Sequence, residues 1–192
     1  MARYGAKYIK FAKIKEEKEK SLPTYDSAQD LSKLQTVTDS VAFVSGEQYG
    51  DNELQEKMTE FSSVTVDVEV TELQNEAAAV VLGATHTPAA EGKTGEIAHN
   101  INNVAPWGGL VFMGCKIIQN ARKYFGVYYP KLKAEMQGET YATKGSSITL
   151  SGGKLHFTGT AAKNCDYKIV SDDFDAEDKA KAWCDAKLGG TT

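Results

Sequence analysis

The chain has 192 residues, of which 41% are hydrophobic and 25% are charged, and its formal net charge is −4. This length suits a single domain with its own core, and the acidic balance argues against a general nucleic-acid binder, which is normally basic. The three cysteines form no CxxC pair and no apolar run approaches about 18 residues, so we expect reduced thiols and no membrane span.

The first 40 residues predict one strand followed by an irregular segment. The strand's apolar positions are Tyr8, Ile9, Phe11 and Ile14, although their alternation is imperfect. Residues 15–40 begin with the charge run KEEKEK and continue as a polar stretch, which predicts an arm or a long loop. A short strand is expected at 41–44, and residues 1–192 are expected to form one domain.

Residues 51–73, DNELQEKMTEFSSVTVDVEVTEL, are the most informative stretch. Their second half alternates strictly, which is typical of a strand with one buried and one wet face. The buried face is predicted to contain Val64, Val66, Val68 and Val70, and the polar face Thr65, Asp67, Glu69 and Thr71. Nine acids and one base lie between Glu47 and Glu76, so we expect an anionic ribbon that works as a surface.

A short helix and a second hairpin are expected next. Residues 73–83 have apolar residues at helical spacing, with Thr71 and Gln74 as a capping box and Gly83 at the end. Residues 110–119 and 122–129 predict two strands around an Asn120–Ala121 turn. From 97 to 134 there are five bases and no acid, so this stretch could complement the ribbon.

The C-terminal third predicts three short strands and the clearest helix of the chain. The strands are expected at 146–150, 154–159 and 167–171. Asp175 is the predicted N-cap of the helix, and Gly189 its end. Trp183 and Leu188 lie on its apolar stripe and are predicted to pack in the core.

The residue types of enzyme and metal sites occur without the spacing that the chemistry needs. His86, His99 and His156 stand at no metal-ligand spacing. Gly92 lacks the glycine that a phosphate-binding loop needs five positions earlier. The acids of 172–178 lack the glycine of a calcium loop and suit helix capping better. We therefore predict no catalytic, cofactor or metal site, and no enzyme.

Several segments, taken in order, resemble the major tail proteins of long-tailed bacteriophages. They are MARYGAKYIKFAKI at the start, GDNELQEKMTEFSSVTVDVEVTEL, the hairpin ending in VYYPKLKAEM, the following TKGSSITL, and FDAEDKAKAWCDAKLGG near the end. No single segment is as specific as a set of metal ligands, and their order along nearly the whole chain carries the resemblance. The irregular residues 15–34 depart from the family's pattern.

The resemblance implies a mainly β fold with flanking helices (α+β): a β-sandwich or barrel-like core, a short central helix and a C-terminal helix. Such subunits are not enzymes; they form hexameric rings that stack into the tail tube, with long hairpins joined into a barrel around the lumen. Thr65, Asp67, Glu69 and Thr71 would then face the lumen, where DNA passes without adhering. The implied partners are further copies of the chain and the tape-measure, tail terminator and distal tail proteins. The implied location is the virion tail, assembled in the host bacterial cytoplasm.

A different class of function stays open, a monomeric β-sandwich binding module of a tail or cell-surface protein. Binding faces of this kind use exposed aromatic side chains. Trp107, next to Pro106 and two glycines, is the candidate for such a platform. A hydrolase has no nucleophile–base pair to support it.

Overall fold

The computed structural model of the protein describes residues 3–51, 53–91, 93–138 and 152–189. Within these ranges the strands are β1 (Arg3–Glu16), β2 (Thr24–Tyr25), β3 (Gln29–Asp30), β4 (Leu34–Gly50), β5 (Glu53–Val70), β6 (Thr85–Thr87), β7 (Glu96–Ala98), β8 (Trp107–Ile118), β9 (Ala121–Met136), β10 (Gly153–Gly159) and β11 (Ile169–Val170), and the helices are α1 (Asn75–Leu82) and α2 (Glu177–Lys187). The predicted mainly β class, with a short central helix and a C-terminal helix, is confirmed. The strand predicted at 146–150 lies outside the described residues.

One large antiparallel sheet dominates the described part of the chain. Its strands follow the order β2-β1-β8-β9-β10-β5-β4, with β3 added to β1 and β11 added to β9, while β6 and β7 form a separate pair. The rings of Phe11 on β1 and Phe157 on β10 lie 5.9 Å apart. In a flat sheet these strands would be about 14 Å apart, so the sheet curls over on itself and encloses a core.

The inner core lies between the facing halves of this curled sheet. Val64, Val66, Val68 and Val70 of β5 are at most 1% exposed, and they pack in one cluster with residues of β1, β9, β10 and α1. The strict alternation of β5 causes this arrangement, since every second side chain of a strand points to the same face. Burial of each valine stabilises the fold by roughly 1.5–3 kcal/mol.

The C-terminal helix covers the outer side of β1, β8 and β9. Its buried residues Ala180 and Cys184, together with Leu188 at its C-cap, form a second apolar cluster with side chains of those strands. Trp183 is only partly buried, and its indole ring lies against Gly126 of β9, where a Cβ atom would collide with it. Trp183 therefore packs at the margin of this cluster, whereas Leu188 is within it.

Two predicted helix caps are wrong. Helix α2 begins after Ala176, and the Asp175 carboxylate pairs with the Lys123 ammonium group and makes no capping hydrogen bond. Helix α1 has Gln74 at its N-cap without a side-chain hydrogen bond, so the capping box with Thr71 does not form. At the other end Gly83 adopts φ 67°, a left-handed conformation that glycine permits, and closes α1 as predicted.

Residues 15–40 are not an arm. Strands β2 and β3 attach this segment to β1, Leu31 is fully buried, and β4 begins at Leu34. Backbone pairing holds these short polar strands, which leaves no hydrophobic period to read in the sequence. The same reason explains why the short strand expected at 41–44 is part of a strand of 17 residues.

The turn between β8 and β9 lies one residue earlier than predicted. Gln119 and Asn120 are its central residues, with φ 47° and 64°. A two-residue hairpin turn with positive φ at both central positions matches the twist of the flanking strands. Ala121 is the first residue of β9 and has no such conformation.

Candidate functional site: a projecting hairpin arm

Strands β4 and β5 form a hairpin that extends well beyond the core. They pair from Leu34–Val70 to Gly50–Glu53. Every residue of 42–60 whose surface is described is exposed, and we call this part the arm. At about 3.3 Å per residue the arm projects roughly 25 Å from the body. A two-stranded ribbon without a packed face is marginally stable in water, so the arm has the properties of a surface awaiting a partner.

Two β-bulges in β5 decide which side chains share a face of the arm. Ser62 and Gln55 are the extra residues, because Ala42 and Phe43 pair with Ser63 and Phe61, while Gln48 and Tyr49 pair with Glu56 and Leu54. Each bulge shifts the alternation by one residue. As a result, five acids of β5 lie on the side of the hairpin that faces away from the core, although their numbers do not alternate regularly. We call this side the acidic face, and its acids are Glu53, Glu56, Glu60, Asp67 and Glu69.

The base of the acidic face is partly neutralised by the neighbouring strand β10. The Lys154 ammonium lies 3.0 Å from the Glu69 carboxylate, and His156 Nδ1 lies 2.6 Å from Asp67 Oδ1. By contrast Glu53, Glu56 and Glu60 make no ion pair within the described residues. Within the described residues, Glu69 thus has a lysine partner at the base of the acidic face, whereas the three glutamates on the arm have no cationic partner.

The four residues predicted to face the lumen do not form one row. Thr65 lies opposite Thr158 on the same side of the sheet as Asp67 and Glu69. Thr71 lies beyond the end of β5, where its N–H donates to the Lys33 carbonyl at 2.8 Å. The loop of residues 31–33 thus engages Thr71, and the alternation of the strand no longer fixes its direction.

The opposite face of the arm carries its aromatic side chains, and we call it the apolar face, although the Glu47–Lys57 ion pair lies in its middle and the exposed Val44 and Met58 lie on the acidic face. The Phe43 and Phe61 rings meet edge to face at 6.4 Å, which places them on one side, and the exposed pair Tyr49 and Leu54 follows near the tip. Tyr49 is 63% and Leu54 50% exposed. Large apolar side chains grouped on a projecting element are typical of an interaction surface.

Residues 167 and 168 hold the base of the arm from both strands, and we call this pair the neck clamp. The Tyr167 ring stacks on Phe61 of β5 at 4.6 Å, and the Lys168 ammonium donates to the Asp39 carboxylate of β4 at 2.6 Å. Burial alone would raise the pKa of Asp39, but its hydrogen bond and charge interaction with Lys168 outweigh this and lower the pKa. The clamp fixes the direction in which the arm leaves the body.

Both long edges of the arm lack a neighbouring strand within the described residues. Strand β4 is the last strand of the sheet, and β10 pairs only with Val64–Val70 of β5. Rows of unpaired backbone N–H and C=O groups of this kind are templates for pairing with another chain. The free edges and the apolar face together make the arm suited to assembly.

The described residues contain no cluster of three or more His, Cys, Asp or Glu side chains able to hold a metal ion. Cys165 is exposed, Cys115 and Cys184 are buried, and burial raises the pKa of the Cys184 thiol to about 12. No helix among these residues is both long and apolar enough to span a membrane.

Sequence reasoning identified the anionic ribbon and its valine face but missed the two bulges and the partners that Lys154 and His156 of β10 provide for Glu69 and Asp67. The signal for a bulge was present in the sequence. Acids occupy even positions at Glu56 and Glu60 and odd positions at Asp67 and Glu69, with two serines between the sets. No protein-family model matches the chain, and no curated protein matches it either.

Proposed function

We propose that this protein is a structural subunit of a phage tail tube, in which hexameric rings stack into a hollow tube. The observation that carries the proposal is the arm, with its two unpaired edges and its exposed apolar face. Joining arms from neighbouring copies edge to edge into a closed barrel would satisfy the backbone groups that the single chain leaves unpaired. The sequence resemblance to major tail proteins supplies the tube as the particular assembly.

The acidic face is the surface that would line the lumen. DNA carries a dense row of phosphates, and a basic wall would retain it by releasing condensed counterions. A wall bearing Glu53, Glu56 and Glu60 without bound cations repels the same phosphates. Glu69 is paired with Lys154 of β10, whereas these arm glutamates have no cationic partner within the described residues and would contribute strongly to the repulsion.

The tube assignment brings further expectations about partners and location. Besides its own copies, the subunit would contact the tape-measure protein in the lumen and the terminator and distal tail proteins at the two tube ends. Its location would be the virion tail, assembled in the cytoplasm of a bacterial host. DNA would be transported through it and not chemically changed, so no enzymatic activity is proposed.

Electron microscopy of the concentrated protein tests the assembly. We expect rings or tubes from the wild type, because edge pairing and burial of the apolar face both favour association. The control variant joins Ala42 to Ser63 by Asn-Gly, which removes the arm and keeps the core strands. This variant should show a cooperative thermal unfolding transition, as expected of a folded protein, and should stay monomeric. The proposal fails if the wild type remains monomeric at high concentration and occurs in native tails only as a peripheral monomer.

One observation favours the second candidate, a monomeric binding module. Trp107 is 40% exposed at the start of β8, and the Lys131 ammonium lies 5.6 Å from its ring centre. An exposed indole next to a cation is a possible platform for a ligand. The same experiment separates the candidates, because a binding module stays monomeric with and without the arm.

A further inference from the structure

The acidic face of the arm consists of two unlike columns of side chains. The column on β5 contains the three arm glutamates and one methionine: Glu53, Glu56, Met58 and Glu60. The column beside it on β4 has no charged residue, and we call Val44, Gly46 and Gln48 the uncharged column. Each strand of the arm also has a free outer edge, because neither has a second neighbouring strand there within the described residues.

The apolar face of the arm is divided between the strands in a matching way. Its acid, Glu47, is on β4 and its base, Lys57, is on β5, and the two charged groups lie 2.7 Å apart. The Phe43 ring of β4 meets the Phe61 ring of β5 edge to face on the same side. Strands β4 and β5 are therefore complementary to each other on both faces of the hairpin.

The outer edges of the arm present the same side chains as the inner edges. A residue in the middle of a sheet lies between two neighbours, one on each adjacent strand, and all three side chains point to the same face. A β5 strand placed on the free edge of β4 would therefore meet the uncharged column with its glutamates, as the chain's own β5 does. A β4 strand thus fits a β5 strand on either side.

Pairing of like strands fits the charges less well. Two β5 strands side by side would place glutamates of both copies opposite one another, with Cβ atoms within roughly 5 Å, and such like-charge pairs destabilise a sheet. A β4 strand between them separates the glutamate columns by two strand spacings, about 9.5 Å, which exceeds the Debye length of about 8 Å at physiological salt. Two β4 strands would avoid the repulsion, but their pairing leaves the β5 edge of each copy uncovered.

Strand β10 limits where a second copy can lie. It occupies the outer edge of β5 from Val64 to Val70, so only residues 53–63 of that edge are free. Closing a sheet into a barrel requires each unit to be displaced along its neighbour, and displacement toward the arm tip keeps the second copy clear of β10. A displacement by an even number of residues keeps the two faces of the arm aligned.

We propose that the free edge of β4 is the acceptor for β5 of a second copy of this chain, and that the uncharged column makes this pairing specific. The inference rests on the proposed function and names the strands that would join neighbouring subunits. Because the two edges differ, the contact is heterologous, and each copy offers β4 to one neighbour and β5 to the other. Repeated around a ring, the contact alternates glutamate columns with uncharged columns.

Cross-linking identifies which edges meet. Cys165→Ser removes the exposed cysteine, and Gln48→Cys on β4 and Glu56→Cys on β5 are then made separately in that background. When the two variants are mixed under assembly conditions, a short bismaleimide should link them into dimers, and neither variant alone should give a comparable yield. Efficient linking of Gln48→Cys alone would show β4–β4 pairing, and that of Glu56→Cys alone would show β5–β5 pairing. Either result overturns the assignment.

A charged variant tests the uncharged column. Gln48→Glu places an acid between the glutamates of two copies, so it should raise the protein concentration needed for assembly by about tenfold or more, and added salt should reverse most of this effect. Thr36→Glu is the matched control, because Thr36 lies opposite Glu69 on the same face of β4 but in its core half, and it should leave assembly unchanged. Both variants should melt close to the wild type, since both positions are exposed.

The outcomes separate this inference from the proposed function. If the wild type forms tubes, but Gln48→Cys and Glu56→Cys do not cross-link when mixed and Gln48→Glu assembles normally, the pairing of β4 with β5 is overturned and the tube proposal stands. If the mixed variants cross-link in small oligomers that never give rings or tubes, the pairing stands and the tube proposal falls. If neither assembly nor cross-links occur, both fall.

Discussion

Replacing Trp183 by alanine measures how strongly helix α2 holds the outer side of the sheet. The indole ring rests on Gly126, where the missing side chain of β9 leaves room for it, and the Lys187 ammonium lies 5.3 Å from the ring centre. The sequence alone suggests a fully buried tryptophan and hence a cost of about 3–5 kcal/mol. Because the ring is only partly buried, we expect roughly 2–3 kcal/mol.

The shift in melting temperature follows from the size of the protein. For a chain of this length, 1 kcal/mol corresponds to about 2–4 °C, so Trp183→Ala should lower the Tm by roughly 4–12 °C. The assay is thermal and urea unfolding followed by far-UV circular dichroism, which does not depend on tryptophan fluorescence. Trp107→Ala is the matched control, since this exposed indole packs on no buried cluster and should cost less than about 1 kcal/mol.

A double-variant cycle makes the test specific to the contact. Gly126→Ala should also destabilise the protein, because the new Cβ collides with the indole ring. In Gly126→Ala/Trp183→Ala the collision is absent, so the combined cost should be smaller than the sum of the two. The reasoning is refuted if Trp107→Ala costs as much as Trp183→Ala, or if the two costs are additive.

Two further predictions concern charge. Asp67→Lys/Glu69→Lys should fold, since both positions are solvent-accessible, but assembled tubes should retain duplex DNA, with the salt dependence of binding steepened by about 0.9 per added phosphate contact. Delivery should slow most at low salt, whereas Glu91→Lys/Asp172→Lys, the same charge change elsewhere, should have no effect; normal delivery by the first variant at low salt contradicts the lumen assignment. The pKa of Asp39 is lower in the folded state than its unfolded value of about 3.9. The neck clamp therefore stabilises the fold above pH about 3.9, and this contribution is lost as the pH falls through the lower folded-state pKa. In urea unfolding from pH 7 down to pH 3, roughly spanning that value, the stability difference between wild type and Asp39→Asn should therefore shrink; a constant difference would argue against the clamp.

The elements that sequence reasoning predicted best are those in which burial alternates with a regular period. The valines of β5 and the stripe of α2 indicate directly which side faces a core, and they pack accordingly except for Trp183, which is only partly buried at the margin. The length of β4 left no such signal. Its arm half is held by pairing with β5 while both faces stay exposed, so polar and apolar residues mix without a rule.

The candidate site was predicted in composition but not in geometry. Counting charges identified the anionic ribbon, because charge density is a property of the sequence itself. The ion pairs of Asp67 and Glu69 depend on β10, which follows more than 80 residues later, and no local pattern encodes that neighbour.

The bulge at Ser62 sets which side chains of the arm half of β5 share a face with those of its core half. Below it the odd-numbered acids point outward, and above it the even-numbered Glu60 points the same way. If Ser62 took part in regular pairing instead of forming a bulge, everything beyond it would rotate by half a turn. Glu60 would then point toward the side now occupied by Phe61, and Phe61 toward the acidic face. Deletion of Ser62 would instead remove the bulge and leave Glu60 and Phe61 on their present faces. The single extra residue is thus what decides which side of the arm is acidic.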